Sequence, residues 1–326
     1  MSIDHDGGTR EQNDFDVAII GGSFAGLSAA YPLVRARRST VLFDAGQTRN
    51  RFSDESHNFL GLDGAAPSKV QSVGREELAQ YENFHFRSSM IESVTPLGED
   101  HHLGLPTYEL TTTDGETYRA KRLILAMGMR DILPNVPGME ACWGKSALQC
   151  PYCHGFEMRD QPTAILHGGP PSLHQAKNLP DFSSDLLFLT NGLDVEEADL
   201  EDLKSRGCRI ETRKVARLIH QDGLLSAIEL EDGAQEARSV LYILPRAAFA
   251  SNLGLDLDCT IIDGPFGPYL EVDDLQETNV RGVFAAGDMT RPAFNAVWAA
   301  ADGNRAGIFA HQSLVTAHNP YRGAKL

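Results

Sequence analysis

The sequence predicts an α/β protein with two Rossmann-like domains, each a three-layer β/β/α arrangement that includes an antiparallel β-meander. Three observations predict this fold class. A strand–helix–strand pattern opens the chain, the same alternation returns in its middle, and a further strand followed by a long helical pattern comes near its end. We expect the last pattern to complete the first domain, which makes that domain discontinuous.

The first domain is predicted to begin at residue 14. The run FDVAIIGG indicates a buried strand, SFAGLSAAYPLVRARR a helix of small residues, and STVLFDAG a second strand. Residues 107–127 then indicate a β-meander of the runs TYELTTT, ETYRAKR and LILAM, with a turn signal at Asp114-Gly115. Antiparallel strands are therefore expected to follow the parallel unit, up to about residue 130.

The segment DILPNVPG, residues 131–138, is the predicted domain boundary, because two prolines and a glycine disfavour regular structure. The second domain, 131–249, repeats the alternation with strand PTAILH, helix SLHQAKNL, strand LLFLT, an acidic helix near residues 195–206, and strands CRIET, LLSAIEL and VLYIL around the turn signal Asp232-Gly233. The strand VFAAG and the helical pattern FNAVWAAADGNRAGIFAHQSL then return to the first domain. Its predicted bounds are 14–130 and 250–326, after a disordered N-terminal tail of residues 1–13.

Charge limits the possible partners. The 326 residues carry 29 Lys and Arg against 45 Asp and Glu, a formal net charge of -16. Nucleic acids and anionic membranes repel such a protein, so neither is expected as a partner. No apolar run approaches the roughly 18 residues of a membrane span, and the polar N-terminus does not resemble a secretory signal. We therefore expect a cytoplasmic protein.

A glycine-rich turn joins the first strand to the first helix. The stretch Gly21-Gly22-Ser23-Phe24-Ala25-Gly26 fits a dinucleotide-binding turn, in which glycines allow a tight turn, a close approach to pyrophosphate and close packing of helix on strand. Ser23 replaces the middle glycine. Asp44, at the end of the next strand, is then placed to hold a ribose hydroxyl pair. The alternative is a glycine-rich turn without a ligand.

The stretch Cys150-Pro151-Tyr152-Cys153 is followed directly by His154. Two thiols at this spacing close a small disulfide, and a neighbouring base raises their thiolate character. A zinc site is the less favoured alternative, because no second CxxC pair or HxxxH motif lies at structural-zinc spacing, and no metal is expected. The isolated cysteines are expected to be packing residues: Cys142, Cys208 and Cys259.

The segment from Thr278 to Asp288 resembles the second flavin motif of FAD-dependent disulfide reductases. With the glycine turn and the cysteine pair, it makes nearly the whole chain resemble the low-molecular-weight thioredoxin reductases, within the pyridine nucleotide-disulfide oxidoreductases. The resemblance implies FAD as cofactor. It also implies that Gly287-Asp288 meets the ribityl chain and that the helix start Asn295-Ala296-Val297 faces the flavin pyrimidine.

Further matches complete the predicted FAD site. His57-Asn58-Phe59-Leu60-Gly61 resembles the flavin-contacting turn of the family, which places Asn58 at the flavin, and Met127-Gly128 resembles its strand end. Met90 corresponds to the adenine-contacting backbone. Arg49 and Arg51 either reach the FAD phosphates or form a solvated basic pair. Trp298 and Tyr321 either cover the flavin or pack as ordinary aromatics.

The resemblance also implies roles at the cysteine pair: Cys153 exchanges electrons with the flavin and Cys150 is the interchange thiol. His154 stands where the family has Asp, and either acts as acid–base or caps a turn. The form Cys-x-x-Cys-His-Gly-Phe-Glu, which ends at Glu157, resembles the dithiol oxidases of gliotoxin and holomycin biosynthesis.

The second domain lacks the nucleotide turn that thioredoxin reductases have. His167-Gly168-Gly169-Pro170-Pro171-Ser172 replaces the turn glycine by His and removes two backbone donors. The next strand ends in Thr190-Asn191-Gly192 and is followed by an acidic stretch, which is ordinarily a solvated helix face and does not attract NADPH. The sequence therefore predicts a lost NAD(P)H site.

These features predict an FAD-dependent enzyme that oxidises a dithiol, with O2 as acceptor and hydrogen peroxide as product. The expected substrate is a small dithiol or a thioredoxin-like protein. The first alternative is a disulfide reductase fed by NAD(P)H or by another donor such as ferredoxin, and the second is a non-catalytic FAD-binding redox sensor. The family resemblance implies a homodimer.

Overall fold

The computed structural model describes residues 13–99 and 104–316, so most of the predicted N-terminal tail (1–13) and Tyr321 lie outside the described residues. The strands, in chain order, are β1 (Asp14–Ile20), β2 (Thr40–Phe43), β3 (Phe84–Arg87), β4 (Ile91–Glu99), β5 (Pro106–Thr112), β6 (Thr117–Leu125), β7 (Met129–Ile132), β8 (Ala147–Leu148), β9 (Thr163–Leu166), β10 (Leu186–Leu189), β11 (Cys208–Glu211), β12 (Val215–Gln221), β13 (Leu224–Leu230), β14 (Gln235–Ala237), β15 (Val240–Tyr242), β16 (Arg246–Phe249), β17 (Ile261–Gly264), β18 (Gly267–Leu270) and β19 (Val283–Ala285). The helices are α1 (Phe24–Arg35), α2 (Pro67–Leu78), α3 (Met139–Cys142), α4 (Pro151–His154), α5 (Pro170–Asn178), α6 (Glu197–Ser205), α7 (Leu253–Asp256) and α8 (Ala296–Ser313). Short 3-10 helices span Arg49–Phe52, Leu179–Asp181 and Asp288–Thr290.

The first sheet has the strand order β3-β2-β1-β6-β5-β4, with β19 also paired to β6. Strands β1, β2, β3, β6 and β19 pair in parallel, and β4 and β5 continue the sheet as antiparallel strands. One face packs on α1 and α8, where Ile19 joins their apolar side chains. On the other face Ala18 packs with Tyr108 and Leu110 of the meander. This arrangement confirms the predicted α/β class.

Strand β6 carries two kinds of pairing along its length. Its first half pairs antiparallel with β5, as Tyr108 with Ala120, while its last residues pair in parallel with β19, as Leu125 with Ala285. The runs ETYRAKR and LILAM, predicted as separate meander strands, are therefore one strand. The returning segment does complete this sheet, because β19 fills the edge that β5 leaves free.

The second sheet has the order β11-β10-β9-β15-β8, with every neighbouring pair parallel. The antiparallel strands β12, β13 and β14 form a separate small sheet, and the predicted turn at Asp232-Gly233 lies between β13 and β14. The same plan of parallel strands plus a meander thus occurs twice in the chain. Strand β8 ends one residue before Gln149, so the cysteine pair begins at the carboxyl end of this sheet.

The expectation of irregular structure throughout residues 131–138 is wrong at its start. Asp131 and Ile132 belong to β7, which pairs antiparallel with β16: Ile132 faces Arg246 and Met129 faces Phe249. The two prolines and the glycine follow only after this strand. The pairing joins residues more than a hundred positions apart, so local composition does not show it. The proposed boundaries at 130 and 250 stay predictions.

Helices α1 and α8 pack closely through small residues. A Cβ added at Gly303 would overlap the carbonyl oxygen of Ala25, and one added at Gly307 would overlap that of Ala29. Backbones that approach this closely exclude any side chain at the contact. The packing brings the start of α8 beside the glycine turn that opens α1. Among the described residues, none of the helices is both long enough and apolar enough to cross a bilayer.

Candidate functional site

The glycine turn between β1 and α1 has the geometry of a phosphate-binding turn. Gly21 has φ +110°, a backbone conformation that side chains rarely allow. A Cβ at Gly26 would overlap the carbonyl oxygen of Gly21, so the helix packs directly on the turn. Ser23 is the N-cap of α1, yet its side chain makes no capping hydrogen bond. No side chain of the described residues therefore caps the start of α1, which suits an anionic ligand.

Asp44 lies directly against this turn. Its side chain is 7% exposed, and a Cβ added at Gly22 would lie 2.6 Å from the Cβ of Asp44. Oδ1 accepts a hydrogen bond from the Gly46 amide at 3.1 Å, and the guanidinium of Arg75 is 3.8 Å from Oδ2. The structure thus brings together the predicted phosphate turn and the predicted ribose ligand.

The second predicted flavin segment, which contains Gly287 and Asp288, also lies against α1. A Cβ at Gly287 would be 3.0 Å from the Cβ of Ala25, which fixes the segment next to the glycine turn. Asp288 follows β19 and accepts a hydrogen bond from Arg49 at 3.1 Å. Burial raises the pKa of Asp288, and the charge of Arg49 opposes that shift.

The start of α8 is capped by its own sequence. The Asn295 side chain accepts hydrogen bonds from the amides of Val297 at 2.9 Å and Trp298 at 3.3 Å. Val297 and Trp298 are 39% and 48% exposed, and Ala296 is the first helical residue. The predicted flavin-facing helix start is therefore open to solvent, but Asn295 already uses two of its amide donors.

Arg49 joins three parts of the chain. It bonds to Asp131 of β7 through Nε at 3.0 Å, to Gln149 at 3.2 Å and to Asp288. Its guanidinium also lies 3.9 Å from the centre of the Phe294 ring. The residue before the cysteine pair is thereby tied to the predicted flavin segment. Sequence reasoning placed Arg49 at the FAD phosphates or in solvent, and it missed Asp131 and Gln149.

Two predicted cofactor residues make no hydrogen bond to this cluster among the described residues, although one of them, Arg51, lines the same cavity as Arg49 and Asp131. Arg51 donates to the carbonyl of Thr48 at 2.7 Å, lies over the ring of Phe52 at 4.2 Å, and lines a cavity of about 250 Å³ together with Trp143. Met90 precedes β4, is 51% exposed, and its carbonyl accepts from Thr113 at 3.0 Å. Neither residue hydrogen-bonds to the glycine turn within the described part of the chain.

The turn that contains Asn58 reaches the cysteine pair. Asn58 has φ +66°, and its side-chain amide donates to the carbonyl of Tyr152 at 2.7 Å. Phe59, next in sequence, stacks on Phe24 of the glycine turn with ring centres 5.8 Å apart. Met127 is half-buried and Gly128 has φ +69°, at the end of the run that follows β6. Asn58 therefore links the glycine-turn region to the segment between the two cysteines.

The two cysteines lie at the start of a four-residue helix. Cys150 is the N-cap of α4, and its sulfur is 2.6 Å from that of Cys153, with both cysteines free. The hydrogen bond from the Cys153 thiol lowers the pKa of Cys150 against the effect of burial, and the backbone amides of Cys153 and Tyr152 act in the same direction. The same hydrogen bond and burial raise the pKa of Cys153. Cys150 is therefore the sulfur that ionises first.

Three titratable side chains interact with one another next to the cysteine segment: His154, Glu157 and His57. Burial lowers the pKa of His154, the charge of Glu157 opposes this shift, and nearby His57 reinforces it. Nε2 of His57 lies 3.5 Å from Glu157. A neutral imidazole beside the thiols is able to accept a proton. No cluster of His, Cys, Asp and Glu suited to a metal ion occurs in the described ranges.

The predicted loss of the second nucleotide turn has a structural counterpart. The buried Ser172 hydroxyl donates to the Gly169 carbonyl at 2.6 Å, accepts from the Gly168 amide at 3.2 Å, and lies 2.9 Å from Nδ1 of His167. The first two residues of α5 are prolines, which have no amide hydrogen. The turn thus satisfies its polar groups internally and has few donors left for a phosphate.

The neighbouring strand end has Arg213 and Lys214 beside it, but Arg213 pairs with Glu211 and Asp232, and the Lys214 side chain packs against Gly192. Asn191 accepts from the Val215 amide at 2.9 Å, so its side chain is used in folding. Lys177 of α5 lies 3.1 Å from Asp199 and 3.0 Å from Asp202, which neutralise it. The acidic stretch behaves as a salt-bridged helix face, as its composition predicts.

Comparisons with known proteins agree with this arrangement. The family described as pyridine nucleotide-disulphide oxidoreductase matches residues 15–304. Thioredoxin reductase tcpT of Claviceps purpurea is 31% identical over 316 residues, covering 93% of this chain and 95% of its own length. A solved oxidoreductase from Agrobacterium tumefaciens superposes with a TM-score of 0.86 at 35% identity, over 93% of this chain and 99% of that one. The structure of HlmI gives a TM-score of 0.87 at 34% identity, over 94% and 95% of the two chains.

Proposed function

The chain belongs to the pyridine nucleotide-disulphide oxidoreductases and, as a thioredoxin reductase-type member, is an FAD-dependent enzyme acting on sulfur groups; from this premise we propose that it oxidises a dithiol with molecular oxygen. The net reaction converts R(SH)2 and O2 into the disulfide RS2 and H2O2, so two electrons and two protons pass from sulfur to oxygen. FAD, when bound, supplies the two-electron acceptor between the thiol pair and oxygen. The cysteine pair supplies the exchange chemistry.

The closed turn at the start of α5 is the observation that carries this proposal. A pyridine nucleotide needs backbone amides for its pyrophosphate, but the Ser172 hydroxyl takes the amide of Gly168, and Pro170 and Pro171 have none. His167, 7% exposed, fills the position of the turn glycine. Without a bound NAD(P)H, we propose that electrons enter from a thiol substrate.

The difference in pKa between the two cysteines supports a defined order of steps. Cys150 ionises first, which suits an interchange thiol, whereas Cys153 keeps its proton beside it. A substrate thiolate that attacks the Cys150 sulfur of the oxidised pair forms a mixed disulfide and leaves Cys153 as a thiolate. We propose that His154, neutral because of its burial, takes up the proton of the second substrate thiol.

The residues that hold FAD are assigned from the same geometry. We propose that the Gly21–Gly26 turn binds the pyrophosphate, Asp44 the ribose and Asp288 the ribityl chain. Asn58 would orient the flavin against the cysteine segment, since it already bonds to Tyr152. The remaining assignments rest on the family resemblance alone: Met90, Met127, Gly128, Gly287, Asn295, Ala296, Val297 and Arg51.

The proposal is tested by an aerobic assay of the purified yellow protein with dithiothreitol and with reduced thioredoxin. One H2O2 should form for each disulfide made, with no requirement for NADPH. The Cys150→Ser variant should lose turnover, while the control Cys208→Ser should keep it, because Cys208 is buried on β11. Disulfide formation without peroxide, or turnover that survives Cys150→Ser, contradicts the proposal.

A disulfide reductase is the second candidate. Several relatives of this chain are named thioredoxin reductases, among them one from Helicobacter pylori that is 27% identical over 311 residues. This function requires a reduced donor to reach FAD, either NAD(P)H in an unusual pose or a protein such as ferredoxin. Reduction of a disulfide by NADPH at catalytic rates would favour it over the dithiol oxidase.

We also propose the assembly and location that the sequence suggests. A homodimer follows from the family resemblance and the prevalence of two-fold oligomers, and light scattering of the holoenzyme tests it. We propose a cytoplasmic location, as expected from the sequence, and fractionation of the native cell tests it. The domain division at residues 130 and 250 predicts that limited proteolysis cuts first in the irregular segments beside the paired strands β7 and β16, at residues 133–138 and 250–252.

A further inference from the structure

Tyr242 is a buried phenol that no part of the proposed chemistry uses. It is 1% exposed, and its hydroxyl has no hydrogen-bond partner within the residues that the structure describes. Buried hydroxyl groups in proteins are nearly always bonded, either to the protein or to an ordered water, so an unbonded one calls for a partner. The immediate surroundings of the hydroxyl identify that partner.

The register of the second sheet places Tyr242 next to the cysteine pair. Tyr242 is the last residue of β15 and pairs with Leu148, the last residue of β8, two positions before Cys150. The Ile243 amide donates to the Leu148 carbonyl at 2.9 Å, so this register is held beyond the strand end. Tyr242 and Leu148 pack in the same apolar cluster, which Met158 also joins from the segment after α4. The phenol therefore lies beside the segment that carries both sulfurs.

The charges that act on the phenol come from the same segment. Burial raises the pKa of Tyr242, and the charges of Cys150, Cys153 and Glu157 raise it further. A phenol with a raised pKa keeps its proton and remains a hydrogen-bond donor next to a thiolate. The titratable groups around the sulfurs and the phenol together are Cys150, Cys153, His154, Glu157 and His57.

We infer that the Tyr242 hydroxyl donates a hydrogen bond to one ordered water, which in turn donates to the Cys150 thiolate whenever that thiolate forms. The hydroxyl bonds directly to neither sulfur among the described residues, so a water bridges the gap, and the charge of the Cys150 thiolate strengthens that bridge. Hydrogen bonds to charged acceptors are about twice as strong as those to neutral acceptors, so this bond stabilises the thiolate form of Cys150 more than the thiol form. Tyr242 acts on the reacting sulfur through the water and is therefore a positioning residue.

The hydrogen bond would assist one identifiable step. When the second thiolate of the substrate attacks the substrate sulfur of the mixed disulfide, the substrate S–S bond forms and the bond to Cys150 breaks. The electron pair stays on Cys150, where the Tyr242 hydroxyl stabilises it. The inference rests on the proposed role of Cys150 as interchange thiol, but it does not depend on the direction of electron flow.

The test measures the ionisation of Cys150 without any substrate. The reduced holoenzyme is alkylated with iodoacetamide across a pH series, and mass spectrometry follows the peptide that contains Cys150. In Tyr242→Phe, which removes only the hydroxyl, we expect the midpoint of the rate profile to rise by about one pH unit. Below the midpoint, Cys150 alkylation should then be about tenfold slower than in the wild type.

Tyr108→Phe is the matched control. Tyr108 is equally buried, but its hydroxyl donates to the Arg281 carbonyl at 2.7 Å, remote in sequence from the cysteines. This variant should lose thermal stability and keep the wild-type alkylation profile, whereas Tyr242→Phe should keep its stability. A Tyr242→Phe profile that superposes on the wild type, or an equal shift in Tyr108→Phe, overturns the inference. Neither oxygen nor a dithiol enters this assay, so its failure is distinct from failure of the proposed oxidase activity.

Discussion

The substitution Gly22→Ala should weaken FAD binding through one contact, that between the glycine turn and Asp44. The added Cβ would lie 2.6 Å from the Cβ of Asp44, 2.7 Å from its Cγ and 2.8 Å from Oδ2. Real Cβ contacts are essentially never under 3.0 Å, so the two segments must separate by at least 0.4 Å (3.0 minus 2.6). Gly22 does not have the left-handed backbone that favours glycine, so the effect comes from the contact alone.

The expected size of the effect follows from overpacking. Adding a methyl group to a closely packed contact costs about 1–3 kcal/mol. If the strain is relieved by moving Asp44 away from the ribose, that free energy is lost from cofactor binding, and the Kd for FAD rises about 5- to 150-fold. The assay is fluorescence titration of FAD into the apoprotein, together with the flavin content of the protein as purified.

Gly74→Ala provides the control for this measurement. Gly74 lies in α2, where an added Cβ would meet only the Cδ1 of Leu27 at 3.3 Å, the flexible end of a side chain. We expect this variant to bind FAD as the wild type does and to gain a little helix stability. If Gly22→Ala also keeps the wild-type Kd, the assignment of the turn and Asp44 to FAD is refuted.

Three further predictions concern the pH profile and the stability of the fold. Because burial keeps the pKa of His154 below its ordinary value of 6.5, the acid limb of the kcat/KM profile should lie below pH 6.5. The variant His154→Gln should remove this limb and slow turnover about 100-fold. An acid limb above pH 6.5 would refute the role of His154 as a proton acceptor. The variant Arg49→Met leaves the carboxylates of Asp131 and Asp288 without their partner, and should lower the free energy of unfolding in urea by about 3–5 kcal/mol. An unchanged urea midpoint would show that these carboxylates need no cation. Gly303→Ala should lower stability by about 1–3 kcal/mol, since α8 must move off α1, and an equal Tm in calorimetry would contradict this packing.

The parts of the site that depend on neighbouring residues in the sequence were predictable. The turn from Gly21 to Gly26 needs small residues at fixed spacing, and the structure gives those positions the close contacts that the spacing requires. The damaged turn at His167 could be recognised by comparison with an intact one. What the sequence does not show is that Ser172 closes this turn by hydrogen bonds.

The parts that depend on distant pairings were not predictable. Arg49 meets Asp288 across 239 positions of the chain, and no local pattern marks either as the partner of the other. Strand β7 depends in the same way on β16. In the sequence, Tyr242 was only one of the apolar residues of the run VLYIL. Its importance comes from the register between β15 and β8, which the sequence does not show. A polar tip at the carboxyl end of a buried strand was the only available signal.

We propose that electrons enter this enzyme from thiols and not from a pyridine nucleotide. The most direct measurement is an anaerobic titration of the oxidised holoenzyme, in which the flavin absorbance is followed by stopped flow after addition of dithiothreitol, NADPH or NADH. We predict that the dithiol bleaches the flavin, that admission of air restores the colour with formation of peroxide, and that neither nucleotide bleaches it at the rate of turnover. Rapid bleaching by NADPH would contradict the claim and would show that the turn at His167 still admits a nucleotide.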